Sequence, residues 1–145
     1  MKNSETVAKR NGRLGEEAAR EYLKKEGYKR IAFNYTSFTG EIDIIAVKKK
    51  HLAFIEVKTR TDHGYGYLFD GVKPSQAENI KDTAYVFRHE FGKNGRVPYY
   101  FSFKLPFKRW YKYDTYGFDL IEIYIEPATD GELKIKDIIH TKNAF

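Results

Sequence analysis

Apolar residues recur along this chain at two spacings, and the changes between them mark out its elements. On a helical wheel Leu14, Ala18, Ala19, Tyr22 and Leu23 share one arc, which predicts an amphipathic helix from residue 4 or 7 to 26, stopped by Gly27. A second helix is predicted from Pro74, with Ser75 and Glu78 at capping-box spacing and Ala77, Ile80, Ala84, Phe87 and Phe91 as its buried stripe. Period-two runs predict strands at 29–36, 42–47 and 52–59, the last two joined by a two-residue turn at Lys49 and Lys50. A later strand at 118–126 carries Ile121, Ile123 and Ile125 on one face, and 133–139 adds an edge strand. Between strand and helix, residues 61–72 hold Gly64, Gly66 and Gly71 among Tyr65, Tyr67 and Phe69, the composition of a mobile loop. Strands and helices alternating within 145 residues predict one α/β domain spanning 1–145, with a mixed central sheet flanked by helices.

Charge narrows the partners without touching the fold. Lys and Arg number 26 against 20 Asp and Glu, a formal net charge of +6, which favours an anionic partner, and nucleic acid ahead of an acidic membrane. The chain has no cysteine, so no disulfide framework and no thiolate zinc site. Its polar start, Met1 to Lys9, lacks the apolar core of a signal peptide, and no apolar run approaches the roughly 20 residues that span a bilayer. The expectation is a soluble cytoplasmic protein with no membrane association. His51, His63, His89 and His140 form no spaced ligand pair and receive no role.

The chemistry is concentrated in two strands that are otherwise apolar, Gly40-Glu41-Ile42-Asp43 and Phe54-Ile55-Glu56-Val57-Lys58. Strict alternation puts Glu41, Asp43, Ile45 and Val47 on one face, and Leu52, Phe54, Glu56 and Lys58 on one face of the next strand. With a two-residue turn, Asp43 faces Glu56 and Glu41 faces Lys58. Opposed carboxylates repel at cross-strand separations of roughly 5 Å unless something lies between them. An oxygen-only pair suits a hard ion, Mg²⁺ or Mn²⁺, and Lys58 beside it suits the positioning of a water or the balancing of phosphoryl charge. Metal-assisted phosphodiester hydrolysis is the chemistry this pattern suggests. The plainer reading is a cross-strand ion pair neutralised by Lys58 and Arg60.

An acidic residue on one strand followed by Glu-x-Lys on the next resembles the core motif of the PD-(D/E)XK, or restriction-endonuclease-like, superfamily. Gly15-Glu16, Gly27-Tyr28, Asn34, Gly-Glu-Ile-Asp at 40–43, Phe-Ile-Glu-Val-Lys-Thr-Arg at 54–60 and Phe118-Asp119 extend the match. In that order they resemble the YraN-like family, described as endonucleases related to archaeal Holliday-junction resolvases. The resemblance implies a three-layer nuclease core and a Mg²⁺- or Mn²⁺-dependent endonuclease acting on DNA, possible substrates including branched or junction DNA and the active form including a homodimer. It implies that Asp43 and Glu56 ligate the metal, that Glu16 completes or supports its shell, and that Lys58 positions the water. Glu41 and Gln76 are placed around these as supporting residues, Gln76 where the family more often carries lysine. The alternative is a non-catalytic nucleic-acid-binding module that retains the nuclease fold.

Residues 97–116 depart furthest from that family, which reaches its Phe-Asp strand by a shorter connection. Tyr99, Tyr100, Phe101, Phe103, Phe107, Trp110, Tyr111 and Tyr113 are interleaved there with Lys104, Lys108, Arg109 and Lys112. One reading takes Trp110 and Tyr111 as stacking platforms for unpaired bases, with Arg60, Lys108, Arg109 and Lys112 on the phosphates. The other makes 97–105 a strand whose aromatics fill the core, capped by Trp110 and Tyr111.

Overall fold

The computed structural model describes residues 6–61, 71–98 and 110–145. Helix α1 (Val7–Lys25) opens under Thr6, whose side chain accepts from the Lys9 N–H, and residues 1–5, with the alternative start at Ser4, lie outside the described residues. It ends as the sequence predicts. Gly27 sits at φ +83°, its N–H on the Lys24 carbonyl and the Tyr28 N–H on that of Leu23, a left-handed close that glycine adopts without a Cβ penalty.

Strands β1 (Lys29–Ser37), β2 (Gly40–Lys48) and β3 (His51–Thr61) form an antiparallel meander. Lys49 and Lys50, both at positive φ, make the predicted two-residue turn, and the ladder runs in the expected register from Lys48↔His51 to Ile44↔Ile55. Helix α2 (Pro74–Phe91) then carries the chain back so that β6 (Thr115–Pro127) lies parallel to the whole length of β3, from His51↔Thr115 to Thr61↔Ile125. Strand β7 (Leu133–Thr141) closes the far edge antiparallel to β6, as predicted. The sheet order is β1-β2-β3-β6-β7, a five-stranded mixed sheet. A separate two-stranded ribbon joins β4 (Arg96–Pro98) to β5 (Trp110–Lys112).

Two cores make this a three-layer molecule. On the α2 side Ile42, Ile45, Leu52 and Phe54 meet Ile80, Ala84 and Phe87. On the other, Ile44, Ala53, Ile55, Ile121, Ile123 and Ile125 meet Ala19 and Leu23 of α1. Gly15 sets the approach of α1, because a methyl group there would collide with the side chain of Thr59 on β3. Among the described residues no helix is long and apolar enough to cross a membrane.

Four expectations change. The α2 cap is Lys73, with no side-chain cap bond, since Pro74 takes the first helical position and leaves Ser75 and Glu78 exposed inside the helix, not in a capping box. Phe91 remains 44% exposed, though it touches Tyr35 and Phe87. Alternation along β2 slips at Asp43, because Ile42 joins Ile45 in the α2-side core while Ile44 turns to α1. Tyr113, read with the interleaved aromatics, is buried and donates from its hydroxyl to the Gly92 carbonyl at 3.0 Å. The expected loop tip at 62–70 and most of the aromatic segment, 99–109, fall outside the described residues.

Candidate functional site

The β2–β3 ladder stops at Ile44↔Ile55, one step short of the acidic residues. Beyond it the strands no longer pair backbone to backbone. The Asp43 carboxylate takes over, its Oδ2 accepting from the Val57 N–H at 2.7 Å. This divergence opens a cleft of about 530 Å³, walled by Gly12 and Glu16 of α1, Glu41 and Asp43 of β2, Glu56 and Lys58 of β3, and Gln76 of α2.

Within it three side chains close a ring of polar contacts. Lys58 Nζ lies 2.9 Å from Glu56 Oε1 and donates to Gln76 Oε1 at 2.9 Å, while Gln76 Nε2 donates to the same Glu56 oxygen at 2.6 Å. Glu56 is buried and therefore needs these donors, since a desolvated carboxylate without them costs several kcal/mol. Among the described residues no cation pairs with Asp43. Burial, then the neighbouring Glu56 carboxylate, raise its pKa from 3.8 to about 7, with smaller contributions from Glu16 and Glu41, against the Val57 hydrogen bond that lowers it.

The structure thus brings Asp43, Glu56, Lys58, Glu16, Glu41 and Gln76 to one cleft. Their pairing differs from the expected one. Lys58 is held by Glu56 and Gln76, and Glu41, expected opposite Lys58, stands exposed at the rim. Glu16 pairs along its helix with Arg20 at 3.5 Å. Among the described residues no three His, Cys, Asp or Glu side chains lie close enough together to hold a metal ion. The donor set fits a hard divalent ion held by the two carboxylates Asp43 and Glu56 and otherwise by water, which is how Mg²⁺ is commonly bound. It does not fit a site closed by three acidic side chains.

Arg60 lies on buried Glu122, with Nε 3.5 Å from Oε1, so its charge answers a carboxylate inside the protein. Trp110 is 53% exposed beside Glu90, Phe91 and Arg96, Tyr111 packs against the α2-side core, and Lys112 is exposed. They border the last turn of α2, whereas Gln76 is in its first. At 1.5 Å per residue that separation is about 21 Å, so the described part of the aromatic segment does not line the cleft. Lys108 and Arg109 lie outside the described residues.

Sequence reasoning gave no role to two buried acids on β6. Glu122 is one. Asp119, of the Phe118-Asp119 motif, is the other, and its Oδ2 lies 2.9 Å from His140 Nε2 while Oδ1 accepts from the Asn143 N–H. His140, given no role above, reaches Tyr22 of α1 through its other nitrogen at 3.4 Å. The signal was present. Both acids interrupt an apolar strand, the criterion that singled out Asp43 and Glu56.

Fold and cleft together define an α/β protein with a restriction-endonuclease-like three-layer core and an acidic cleft where its second and third strands part. Comparison with known proteins places it more closely. The model of Uncharacterised protein family UPF0102 matches residues 15–123, and the chain belongs to that family, the YraN-like group its motifs resemble. A UPF0102 protein of Caldanaerobacter subterraneus subsp. tengcongensis is 33% identical over 99% of this chain and 97% of its own length. One of Acetivibrio thermocellus is 32% identical over 99% and 95%, and one of Desulfosudis oleivorans 42% identical over 58% and 68%.

Proposed function

We propose that this protein is a Mg²⁺- or Mn²⁺-dependent endonuclease that hydrolyses DNA phosphodiester bonds in the cleft between β2, β3 and the two helices. One observation carries the reading. A half-buried Asp43, its carboxylate held at the β2–β3 divergence by the Val57 N–H and its pKa raised to about 7, stands beside the buried carboxylate of Glu56, an arrangement that costs the folded chain free energy and that a divalent cation relieves.

An ion held by Asp43 and Glu56 would polarise the scissile phosphate and supply a water acidic enough to attack near neutral pH. The chain's own groups do the rest. Gln76 fixes the Glu56 carboxylate and the Lys58 ammonium relative to each other, so Lys58 is set to orient the attacking water or to stabilise charge growing on the phosphoryl oxygens. Glu16, which lines the cleft from α1 and pairs with Arg20, would support the shell of such an ion. Glu41 adds negative charge at the rim.

A non-catalytic nucleic-acid-binding module is favoured by one specific observation, the absence among the described residues of three clustered metal-ligating side chains. Cleavage assays separate the two. Wild-type protein with Mg²⁺ or Mn²⁺ is offered duplex, single-stranded, flap and four-way-junction DNA, and at least one is cut, while Asp43→Ala, Glu56→Ala and Lys58→Ala cut none and still bind. No cleavage anywhere in that panel with either metal hands the function to the binding-module reading.

A further inference from the structure

A second concavity, of about 480 Å³, lies beside the cleft between the C-terminal half of α1 and strands β1 and β2. Its floor includes Leu23, Ile44 and Ala46. Its rims carry Arg20 and Lys24 from α1, with Lys29 and Arg30 from β1, against one acid, Glu21. Two of these cations gather on one ring, the Arg20 guanidinium 4.0 Å and that of Arg30 4.9 Å from the centre of Phe33. Stacking fixes the planes of guanidiniums that would otherwise spread apart, so the groove holds concentrated positive charge in a set geometry. An anion between the rims lowers that repulsion.

Groove and cleft adjoin along both walls. On the helix Arg20 is ion-paired to Glu16, which lines the cleft, and on the strand Ile44 in the groove floor follows Asp43. We propose that this groove binds a single-stranded segment of nucleic acid and leads it into the cleft, which deepens the nuclease reading and rests on it for what happens at the cleft. An apolar floor between cationic rims with Tyr28 and Phe33 suits one backbone with its bases turned inward, the recurring design of single-strand sites. Guanidiniums laid flat on a ring also offer bases a plane to stack on.

Binding is measured in EDTA by fluorescence anisotropy, with a labelled oligothymidylate and a hairpin duplex as probes and polyglutamate as competitor. The single strand binds more tightly than the duplex. Lys24→Glu with Arg30→Glu weakens it at least about tenfold and flattens the slope of log K against log salt by about 1.4, at roughly 0.7 for each phosphate no longer neutralised. Lys24→Gln with Arg30→Gln, the milder pair should reversal unfold the protein, weakens it in the same direction. Lys134→Glu with Lys142→Glu, the same change in net charge on the opposite edge of the sheet, leaves binding within about twofold. Equal weakening in that control, or undiminished binding in both groove variants, overturns the proposal. So does groove-dependent binding of polyglutamate without any of the oligonucleotide, which assigns the groove to an acidic polypeptide. Groove-dependent binding by a wild-type protein that cuts no DNA upholds the groove and sinks the nuclease reading alone.

Discussion

Lys58 and Gln76 are joined by a 2.9 Å hydrogen bond from Nζ to Oε1, and the other end of the same amide holds Glu56 at 2.6 Å, so a residue of α2 sets the spacing of two on β3. Removing it separates orientation from chemistry. Gln76→Ala leaves Glu56 buried with Lys58 alone, which costs about 1 to 3 kcal/mol of stability in urea unfolding. Single-turnover cleavage falls roughly 10- to 100-fold as Lys58 loses its fixed position. Unchanged cleavage in Gln76→Ala would show that Lys58 needs no such tether.

The raised pKa of Asp43 fixes the sign of a pH effect. Its ordinary value is 3.8 and its folded value about 7, so between these the folded state binds the proton that the unfolded chain releases. Without metal, stability therefore rises as pH falls from about 7 toward about 4, and the contribution is lost as pH climbs through 7. Asp43→Asn removes that slope and stabilises the metal-free protein at pH 8 by about 1 to 4 kcal/mol, at about 1.4 kcal/mol per pKa unit. Mn²⁺ raises the melting temperature of wild type and not of Asp43→Asn. Urea midpoints at pH 5 and pH 8 in EDTA test the first claim, thermal melts with Mn²⁺ the second.

Gly15 and Gly12 lie on the same helix and respond to alanine with opposite sign. At Gly12 an added methyl meets nothing within 4 Å, so Gly12→Ala gains helix propensity and stabilises by about 0.5 to 1 kcal/mol. At Gly15 the methyl lands on the Thr59 hydroxyl and also comes to 3.0 Å from its Cβ and 3.2 Å from its Cγ2, so rotating that side chain gives only partial relief. Gly15→Ala then costs about 1 to 3 kcal/mol despite the better propensity. A Thr59→Ala partner restores much of it in a double-mutant cycle.

Much of this architecture was legible because short-range rules decide it. The register of β2 on β3 follows from the Lys49-Lys50 turn, and Gly27 names its own helix end. What a periodicity argument could not supply is the parting of the strands at Asp43. There a side chain replaces the ladder bond, and Ile42 changes face to pack against α2. The family resemblance alone places Gln76 near the site. Its bridging of Glu56 and Lys58 depends on where a helix from a distant part of the chain lands. His140 escapes a reading of spacings because its partners, Asp119 and Tyr22, are 21 and 118 residues away, beyond any local rule.

Asp119 provides the sharpest contrast with the cleft. Sequence order sets it among the nuclease motifs, but its carboxylate ties His140 and the Asn143 N–H, and through His140 the C-terminal strand reaches Tyr22 of α1. It does not line the cleft. Asp119→Ala strips a buried histidine and a backbone N–H of their acceptor, and His140→Ala leaves a buried carboxylate short of a donor. Each costs about 2 to 4 kcal/mol in urea unfolding, within the range seen when one partner of a buried polar pair is removed. Cleavage per folded molecule, measured well below the melting temperature, stays within about threefold of wild type in both. A drop of cleavage in Asp119→Ala as deep as that in Asp43→Ala, at full folding, would make Asp119 part of the chemistry and not the clasp that holds the last strand to the first helix.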